Sequence, residues 1–388
     1  MTTASSLPTT DPAQESLRQA AHRIGLQARA AAAANERDRR LTPDLVEVLR
    51  ESGLMRCAAP AVLGAAQAPP GVALECAETI ARGDAATGWC VAIAFTSSLL
   101  AAYLPAKGAE ETLGAPRAIP AGVLASQAKA RPVDGGMVVS GRWSFCSGIT
   151  HADYFFAGCF LDDEGGTPRL RLVAVPVDQL RILDTWHTSG LRGTSSHDVV
   201  AEEVFVPAHR VVSLADGPLV DAPLYRFPFF GYLALAVAAV ALGNARGAMD
   251  DLLALARDKV PTGSRRTLAE NPATHAAVAQ AEASLSAAQS FFYAAVGEAW
   301  HAASSSTTGS LELRAKLRLA ATHAAQTASS VVRTMYDLGG GSVIYEDSPL
   351  QRRLRDASTI TAHKQVNTAT WEMTGSVLLG VPADVERL

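Results

Sequence analysis

Three long alanine-rich runs in the second half of the chain constrain its fold more than any other feature. They extend from Gly231 to Ala256, from His275 to Ala303 and from Leu311 to Gly339. Each is long enough for one helix of a bundle, and alanine lets neighbouring helices pack closely. Loops at Pro261-Thr262-Gly263 and at Ser304 to Gly309 separate the runs. The second half of the chain is therefore predicted to form a helical bundle.

The first half of the chain has two further textures. From Gln14 to about Leu113, apolar residues recur at helical spacing, with Thr42-Pro43-Asp44 as a helix start and Ser52-Gly53 as its stop. From about Ile119 to Val212, Gly-Gly and Asp-Glu-Gly-Gly turns separate short β-prone runs. These runs are Met137–Ser140, Tyr154–Ala157, Leu170–Val177 and Asp198–Val206. No helical pattern alternates with them, which predicts a compact β-domain and not a doubly wound sheet.

The predicted fold class is mainly α with a central β-domain. We predict a flexible tail at 1–13, an N-terminal helical domain at 14–118, a β-domain at 119–214 and a C-terminal helical bundle at 215–388. The chain has 388 residues, more than one core usually covers, and 48% of them are hydrophobic, which is ample for burial.

Charge and cysteine usage exclude several classes of partner. The net charge is -4 and no long Lys/Arg run occurs, so neither nucleic acid nor an anionic membrane is an expected partner. Five cysteines without a CxxC spacing favour a reduced cytoplasmic protein without a metal site. The polar segment Met1 to Asp11 is not a signal peptide. The most apolar stretch, Gly231 to Leu242, has about a dozen residues, too few to span a bilayer.

The densest group of functional side chains is Gly141-Arg142-Trp143-Ser144-Phe145-Cys146-Ser147-Gly148, followed by His151-Ala152-Asp153. The aromatic faces of Trp143 and Phe145 can wall a flat ring, and the hydroxyl groups of Ser144 and Ser147 can bond its polar edge. The alternative is an ordinary strand with a core tryptophan and a Ser-Gly turn.

A second group runs from Gly190 to Asp198. Its glycine-rich turn carries Arg192, Ser195 and Ser196, which can bind a phosphate through guanidinium and hydroxyl donors. The alternative is a β-turn with a solvated arginine.

A third group includes the triple glycine at 339–341, Arg355-Asp356 and His363. The triple glycine lies between helices, so it does not predict a dinucleotide site of the βαβ type. Arg355 and Asp356 could form a surface ion pair. His363 follows Asp356 by seven residues, which would place both on one helix face. A histidine suits proton transfer near neutrality, although a structural histidine is the alternative.

In this order, and within this helical–β–helical layout, the three groups resemble the acyl-CoA dehydrogenase superfamily. The resemblance covers about Ala34 to Leu379, and Gly243 to Ala248 is similar to the start of the family's first C-terminal bundle helix. It implies an N-terminal helical domain, a middle β-barrel-like domain and a C-terminal four-helix bundle. The element from Gly141 to Asp153 is similar to that of the reduced-flavin-dependent, two-component (group D) monooxygenases.

The C-terminal segment favours this branch over the true dehydrogenases. In the dehydrogenases, an Arg-Asp-Ala run precedes a Tyr-Glu-Gly-Thr stretch whose glutamate is the base in many members. Here Arg355-Asp356-Ala357 precedes Thr361-Ala362-His363-Lys364, which has no carboxylate. An FAD-dependent acyl-CoA dehydrogenase-like oxidoreductase stays as one alternative, and a non-enzymatic scaffold subunit stays as another.

The resemblance implies the oxygenase component of a two-component monooxygenase, which hydroxylates a small aromatic or heterocyclic substrate with O2 through a C4a-hydroperoxyflavin. The reduced flavin, FMNH2 in preference to FADH2, would come from a separate NAD(P)H:flavin reductase, and the chain would form a homotetramer. The catalytic candidates are His363, Ser147 and Ser144. The cofactor-binding candidates are Trp143, Phe145, Ser147, Arg192, Ser195, Ser196, Gly340 and Gly341. Aromatic residues that suggest a ring-sized ligand, or else core, are Phe227, Phe229, Phe230 and Tyr232.

Overall fold

The computed structural model describes residues 11–161, 169–306, 309–381 and 388. Its N-terminal part is helical, as the sequence predicts. The helices are α1 (Pro12–Asp38), α2 (Pro43–Ser52), α3 (Pro70–Gly83), α4 (Ala85–Ser98) and α5 (Ala106–Leu113). α1 already includes the last two residues of the predicted 1–13 tail, because Asp11 caps the helix and Pro12 occupies its first position. Residues 1–10 of that tail lie outside the described residues.

Seven strands follow in the described part of the chain. They are β1 (Pro120–Val133), β2 (Gly136–Trp143), β3 (Tyr154–Leu161), β4 (Leu170–Pro176), β5 (Arg181–Leu183), β6 (Asp198–Pro207) and β7 (Val211–Val212). They form one sheet in the order β5-β6-β2-β1-β3-β4-β7, in which β1 and β3 are parallel and the other pairs antiparallel. The sequence pattern predicts β2, β3, β4 and β6, but it does not delimit the other three strands. The Asp-Glu-Gly-Gly turn lies outside the described residues.

Alternate side chains of the sheet enter two different cores. Phe155 of β3 packs with Trp143 inside the sheet part of the molecule. Its neighbour Phe156 packs with Leu172 of β4 and with Leu113 of α5. Successive side chains of a strand point to opposite faces, so both faces of this sheet are apolar. One of these faces attaches the sheet to the N-terminal helices.

The C-terminal part is a bundle built around one central helix. Its helices are α6 (Pro223–Arg226), α7 (Phe229–Asp258), α8 (Pro272–Ser304), α9 (Leu311–Gly339), α10 (Pro349–Ala362) and α11 (Ala369–Leu378). Helices α7, α8 and α9 confirm the helices that the three alanine-rich runs predict. α7 packs against α9 and α10, and also against α3 and α4. The N-terminal helices and the bundle therefore share one continuous core.

Two apolar helical segments, Ala85–Tyr103 and Phe229–Asp258, are long enough by length and composition to cross a membrane. The prediction of an apolar stretch of only about a dozen residues is therefore wrong for α7, whose apolar window has 18 residues. The most apolar windows of the two segments are 94% and 78% buried inside the fold. In this structure both segments are core helices.

Helices α7 and α3 approach so closely at Gly243 that a Cβ atom there would lie 2.1 Å from the Glu78 carbonyl oxygen. We predict that Gly243→Ala lowers the free energy of unfolding by about 1–3 kcal/mol, because the neighbouring backbone cannot move aside. Gly297→Ala on the exposed side of α8 is the matched control, since nothing lies within 4 Å of its Cβ position. At position 297, alanine should raise the free energy of unfolding by about 0.5–1 kcal/mol. Denaturant unfolding measures the free energy of unfolding of both variants. Equal changes in the two variants would contradict the close approach of α7 and α3.

Candidate active site

Two turns meet beside the sheet because the strands that carry them are paired. β2 runs antiparallel to β6, so the segment after β2 lies beside the segment before β6. We call residues 144–150 the first turn and residues 190–197 the second turn. The Gly148 N–H donates to the Thr194 carbonyl oxygen at 2.9 Å, which joins the two turns directly. Two of the sequence-predicted groups are thus brought together.

Three hydroxyl groups form a buried chain where the turns meet. Ser147 Oγ lies 2.7 Å from Ser196 Oγ, which in turn lies 2.6 Å from Thr194 Oγ1. We refer to these three groups as the hydroxyl chain. At its outer end, Ser147 accepts a hydrogen bond of 2.9 Å from Trp89 Nε1 of α4. All four side chains are buried.

The hydroxyl chain can donate in either direction. When Thr194 donates to the Leu191 carbonyl oxygen at 2.9 Å, every hydroxyl proton is used within the protein. When Thr194 donates to Ser196 and Ser196 to Ser147, the Ser147 proton is free for a ligand. The Leu191 oxygen then keeps a hydrogen bond of 3.0 Å from Trp186 Nε1. Ser147 can therefore offer a proton to a ligand without leaving a buried polar group unpaired.

Left-handed backbone conformations concentrate in these two turns. Phe145 has φ 65°, Leu191 has φ 50° and Ser195 has φ 43°, and Gly148 has φ 75°. For residues other than glycine such conformations cost roughly 1–3 kcal/mol each, and they cluster where a site needs fixed geometry. The Ser195 hydroxyl group helps to hold the arrangement, since it lies 2.7 Å from Thr150 Oγ1.

Helix α10 fixes the second turn through a buried carboxyl group. Asp356 Oδ1 accepts a hydrogen bond of 2.6 Å from the Leu191 N–H, and a Cβ atom at Gly190 would lie 2.2 Å from the Arg355 carbonyl oxygen. Burial raises the pKa of Asp356 to about 7. The suggested ion pair between Arg355 and Asp356 is wrong, because Arg355 pairs with Glu36 of α1 at 2.5 Å.

His363 lies immediately after α10 and not on it. The helix ends at Ala362, so the predicted helix face shared by His363 and Asp356 is wrong. The imidazole meets the Trp89 ring edge to face, with the ring centroids 5.4 Å apart. Trp89 thus contacts both His363 and Ser147, two of the three catalytic candidates.

The environment of His363 keeps its side chain neutral. Burial, assisted by the positive charge of Arg318, lowers the pKa of His363 to about 4. Nδ1 accepts a hydrogen bond of 3.3 Å from the Gln365 N–H, which assigns the proton to Nε2. Nε2 bonds to none of the described residues, and the ring keeps some accessible surface. It is available to a ligand.

The two aromatic candidates lie on either side of the first turn. Trp143 is 1% exposed, donates through Nε1 to the Gly158 carbonyl oxygen at 2.7 Å and packs on Phe155 in the sheet core. It packs within the sheet core, where it supports the first turn, and it does not line an open surface. Phe145 is 71% exposed and meets Trp186 edge to face. Only Phe145 presents a free aromatic face.

The other candidates make separate contacts. Ser144 Oγ donates to Asp198 at 3.1 Å, and Arg192 Nε donates to the Glu36 carbonyl oxygen at 3.2 Å. The glycines at 340–341 form an exposed turn after α9. Among the described residues, no hydrogen bond connects any of these groups with the hydroxyl chain.

Sequence reasoning missed Trp89 and Arg318. A tryptophan within an apolar helix is typical of a hydrophobic core. Only the folded structure shows that the Nε1 of Trp89 lies beside Ser147. An arginine in an alanine-rich helix is typical of a solvated face, yet Arg318 is only 4% exposed. Neither residue belongs to a motif.

Tyr103, Phe227, Phe229 and Tyr232 help to line a cavity of about 10 Å³. That volume holds at most about one water molecule. The structure therefore favours core as the role of these aromatic residues, and not the suggested pocket for a ring.

The residues at the two turns fit a flavin ring. Such a ring needs hydrogen-bond donors for its ring nitrogen atoms and an aromatic or apolar surface against its face. Ser147 supplies a proton through the reversible hydroxyl chain, and Phe145 supplies an accessible aromatic face. The left-handed turns hold both in place.

Comparison with known proteins identifies the family of the chain. The family model for the acyl-CoA dehydrogenase C-terminal domain matches residues 235–368. Indole-3-acetate monooxygenase of Pseudomonas putida is 32% identical over 92% of this chain and 92% of its own length. The FADH(2)-dependent resorcinol hydroxylase oxygenase component of Rhizobium sp. is 28% identical over 91% of each chain.

Solved structures share the whole architecture. XiaF from Streptomyces sp., in complex with FADH2 and glycerol, has a TM-score of 0.90 and 27% identity, covering 97% of this chain and 98% of its own. The 3-HSA hydroxylase from Rhodococcus sp. RHA1 has a TM-score of 0.88 and 26% identity, covering 95% and 98%. The predicted fold class, oxygenase function, reduced flavin cofactor and reductase partner are confirmed. The chain belongs to the flavin-dependent monooxygenases of acyl-CoA dehydrogenase fold, as the oxygenase component of a two-component system.

Proposed function

We propose that this oxygenase hydroxylates a small aromatic or heterocyclic ring bound between the hydroxyl chain and His363. The position of Trp89 carries the proposal, because its Nε1 bonds Ser147 and its ring meets His363. One side chain thus connects the proposed flavin contact with the proposed substrate contact. Relatives named for indole-3-acetate and for resorcinol support a substrate ring of this size.

The bound reduced flavin supplies the activation of O2, and residues of the two turns position it. Ser147 would donate a hydrogen bond to the flavin ring, and Ser196 would hold Ser147 in place through their hydrogen bond. Phe145 would contact the flavin from the first turn, and Ser195, buried and bonded to Thr150, would hold the second turn in place for it. Arg192 would contribute to the same surface. Trp143 would support the first turn from the sheet core without touching the flavin. The glycines at 340–341 reach the flavin of a neighbouring subunit.

His363 handles the proton at the substrate. Its low pKa keeps the imidazole neutral at pH 7, so it can donate from Nε2 and can also accept a proton. To accept a proton at Nε2, the ring would carry its own proton on Nδ1 and give up the contact of 3.3 Å with the Gln365 N–H. An imidazolium ion could only donate. The neutral ring therefore suits the removal of the proton that an aromatic ring loses on hydroxylation.

Exclusion of water completes the proposed site. Trp89, Ser147 and Ser196 are 6%, 7% and 2% exposed. A site enclosed in this way limits the entry of stray water and protons, which would divert activated oxygen to hydrogen peroxide. Asp356, the carboxyl group of α10, accepts a hydrogen bond from the Leu191 N–H. It does not offer the base that an acyl-CoA dehydrogenase would need.

We predict that Ser147→Ala lowers the share of O2 used for hydroxylation and raises the share released as hydrogen peroxide several-fold. The reason is the loss of the hydrogen bond near the flavin. Product and peroxide are measured with indole-3-acetate and reduced FMN from a reductase. Ser98→Ala is the matched control, since Ser98 is also buried but, among the described residues, bonds only the Phe95 oxygen of its own helix. An unchanged product-to-peroxide ratio in Ser147→Ala would contradict the role of Ser147.

We predict that His363→Gln lowers the hydroxylation rate by about 10²–10⁴-fold, the usual effect of general acid–base catalysis. In the wild type, acidification protonates His363 only near its pKa of about 4. The pH profile of kcat/KM should therefore stay level from pH 8 to pH 6 and fall only at lower pH. A fall centred at pH 6.5, the ordinary value for histidine, would show that the site does not hold His363 neutral.

We further propose that the chain assembles as a cytoplasmic homotetramer. Large exposed apolar side chains support self-association, among them Ile344 and Tyr345 beside the turn at 340–341. Five free, buried cysteine thiols support a reducing compartment.

Sedimentation equilibrium should give the mass of four chains. Ile344→Asp should dissociate the assembly, whereas Val62→Asp, at an even more exposed site near the N-terminal helices, should not. A monomeric wild type would refute the tetramer.

A further inference from the structure

Arg318 of α9 is a buried cation without an anionic partner. Its side chain is 4% exposed, and its Nη1 donates to the Gln365 side-chain oxygen. Its Nε is buried without a hydrogen-bond partner. Within the described ranges, no carboxylate forms an ion pair with it. Burial lowers the pKa of Arg318 to about 10, and no neighbouring negative charge opposes that effect.

The other buried arginines of the described chain have evident partners. Arg353 forms a buried ion pair with Asp251 of α7. Arg56 donates to the carbonyl oxygens of Leu63 at 2.7 Å and Leu113 at 2.5 Å. A buried charge is strongly destabilising unless it is paired and hydrogen-bonded. Arg56 also leaves its Nε without a partner, but it donates two hydrogen bonds, whereas one neutral amide oxygen is the only bonded partner of Arg318 among the described residues.

The position of Arg318 links it with the proposed substrate site. Its partner Gln365 lies two residues after His363, and the charge of Arg318 acts on the His363 ring. Two further polar residues, spaced by four along the same face of α9, are each hydrogen-bonded to the segment 363–370. They are Thr322, 2.6 Å from Thr370, and Gln326, 3.1 Å from the Val366 oxygen. Arg318 is the charged member of this face, and its buried Nε has no hydrogen-bond partner among the described residues.

We propose that Arg318 binds a carboxylate of the substrate, so that the substrate class is a short aromatic acid whose ring lies against His363 and Trp89. This inference rests on the hydroxylase function proposed above and narrows it. A guanidinium group offers two parallel donors to a carboxylate, which fixes orientation as well as charge. Nε and the second terminal nitrogen of Arg318 are the donors left for that purpose.

The first experiment compares charged and neutral ligands of the same shape. Isothermal titration measures binding of indole-3-acetate against indole-3-acetamide, and of phenylacetate against phenylacetamide. The wild type should prefer the acid in at least one pair. Arg318→Met should weaken binding of that acid by about 10–100-fold, the effect of losing hydrogen bonds to a charged group, and should leave the amide within about threefold.

Two further variants separate charge recognition from structural support. Arg318→Lys keeps the charge and should recover part of the preference for the acid. Gln326→Met loosens the same segment 363–370 without removing a charge, and should leave the preference unchanged. An equal loss for acid and amide in Arg318→Met would overturn the inference. A wild type with no preference for either acid would also overturn it.

A second measurement distinguishes the substrate carboxylate from the flavin phosphate as the bound anion. Arg318→Met should bind FMN and riboflavin in the same ratio as the wild type does. A selective loss of FMN affinity would assign Arg318 to the flavin phosphate and overturn the inference. Turnover with reduced FMN tests the underlying function separately. A wild type that binds the acid through Arg318 but yields no hydroxylated product would refute the hydroxylase proposal alone.

Discussion

The hydrogen bond from the Leu191 N–H to Asp356 connects the three parts of the molecule that form the site. Asp356 belongs to α10 of the bundle, and Leu191 begins the turn that leads into β6 of the sheet. The same turn lies against α1 and α4, where a Cβ atom at Gly193 would lie 3.0 Å from Asn35 and Ala86 side chains. The bond is buried, so its loss would leave a polar group without a partner. The contact between Ser147 and Ser196 depends on this placement of the second turn.

Buried ionisable groups near the site respond to acid in opposite directions. The pKa of Asp356 is raised to about 7 by burial, so its contribution to stability declines as pH rises from the unfolded value of 3.8. The pKa values of His151 and His363 are lowered to about 4, chiefly by burial. Their unfolded forms bind protons first, so stability declines as pH falls from 6.5 toward 4. Near neutrality the histidines are therefore uncharged, which is the state that the proposed proton acceptor needs.

The sequence predicted the elements better than it predicted the site. Long alanine-rich runs and turn-bounded β-prone runs depend on local periodicity, and α7, α8, α9, β2, β3, β4 and β6 appear where those patterns indicate. The pairing of β2 with β6 is a long-range consequence, and it joined Ser147 to Ser196 among the predicted residues. Trp143 follows the core alternative, because its Nε1 finds a carbonyl partner within the sheet. Trp89 and Arg318 depend on contacts between helices far apart in sequence, which no local pattern encodes.

The cost of burying Arg318 bears on why the chain keeps it. An unpaired buried charge is strongly destabilising, so packing alone gives no reason for an arginine here. A ligand that binds the folded chain alone, through this charge, recovers part of that cost in proportion to its affinity. The segment 363–370 lies between Arg318 and Trp89 and carries His363. An anion bound at Arg318 would thus stabilise the conformation of the segment that carries His363. Recognition of the acid and alignment of the proton acceptor would therefore occur in one step.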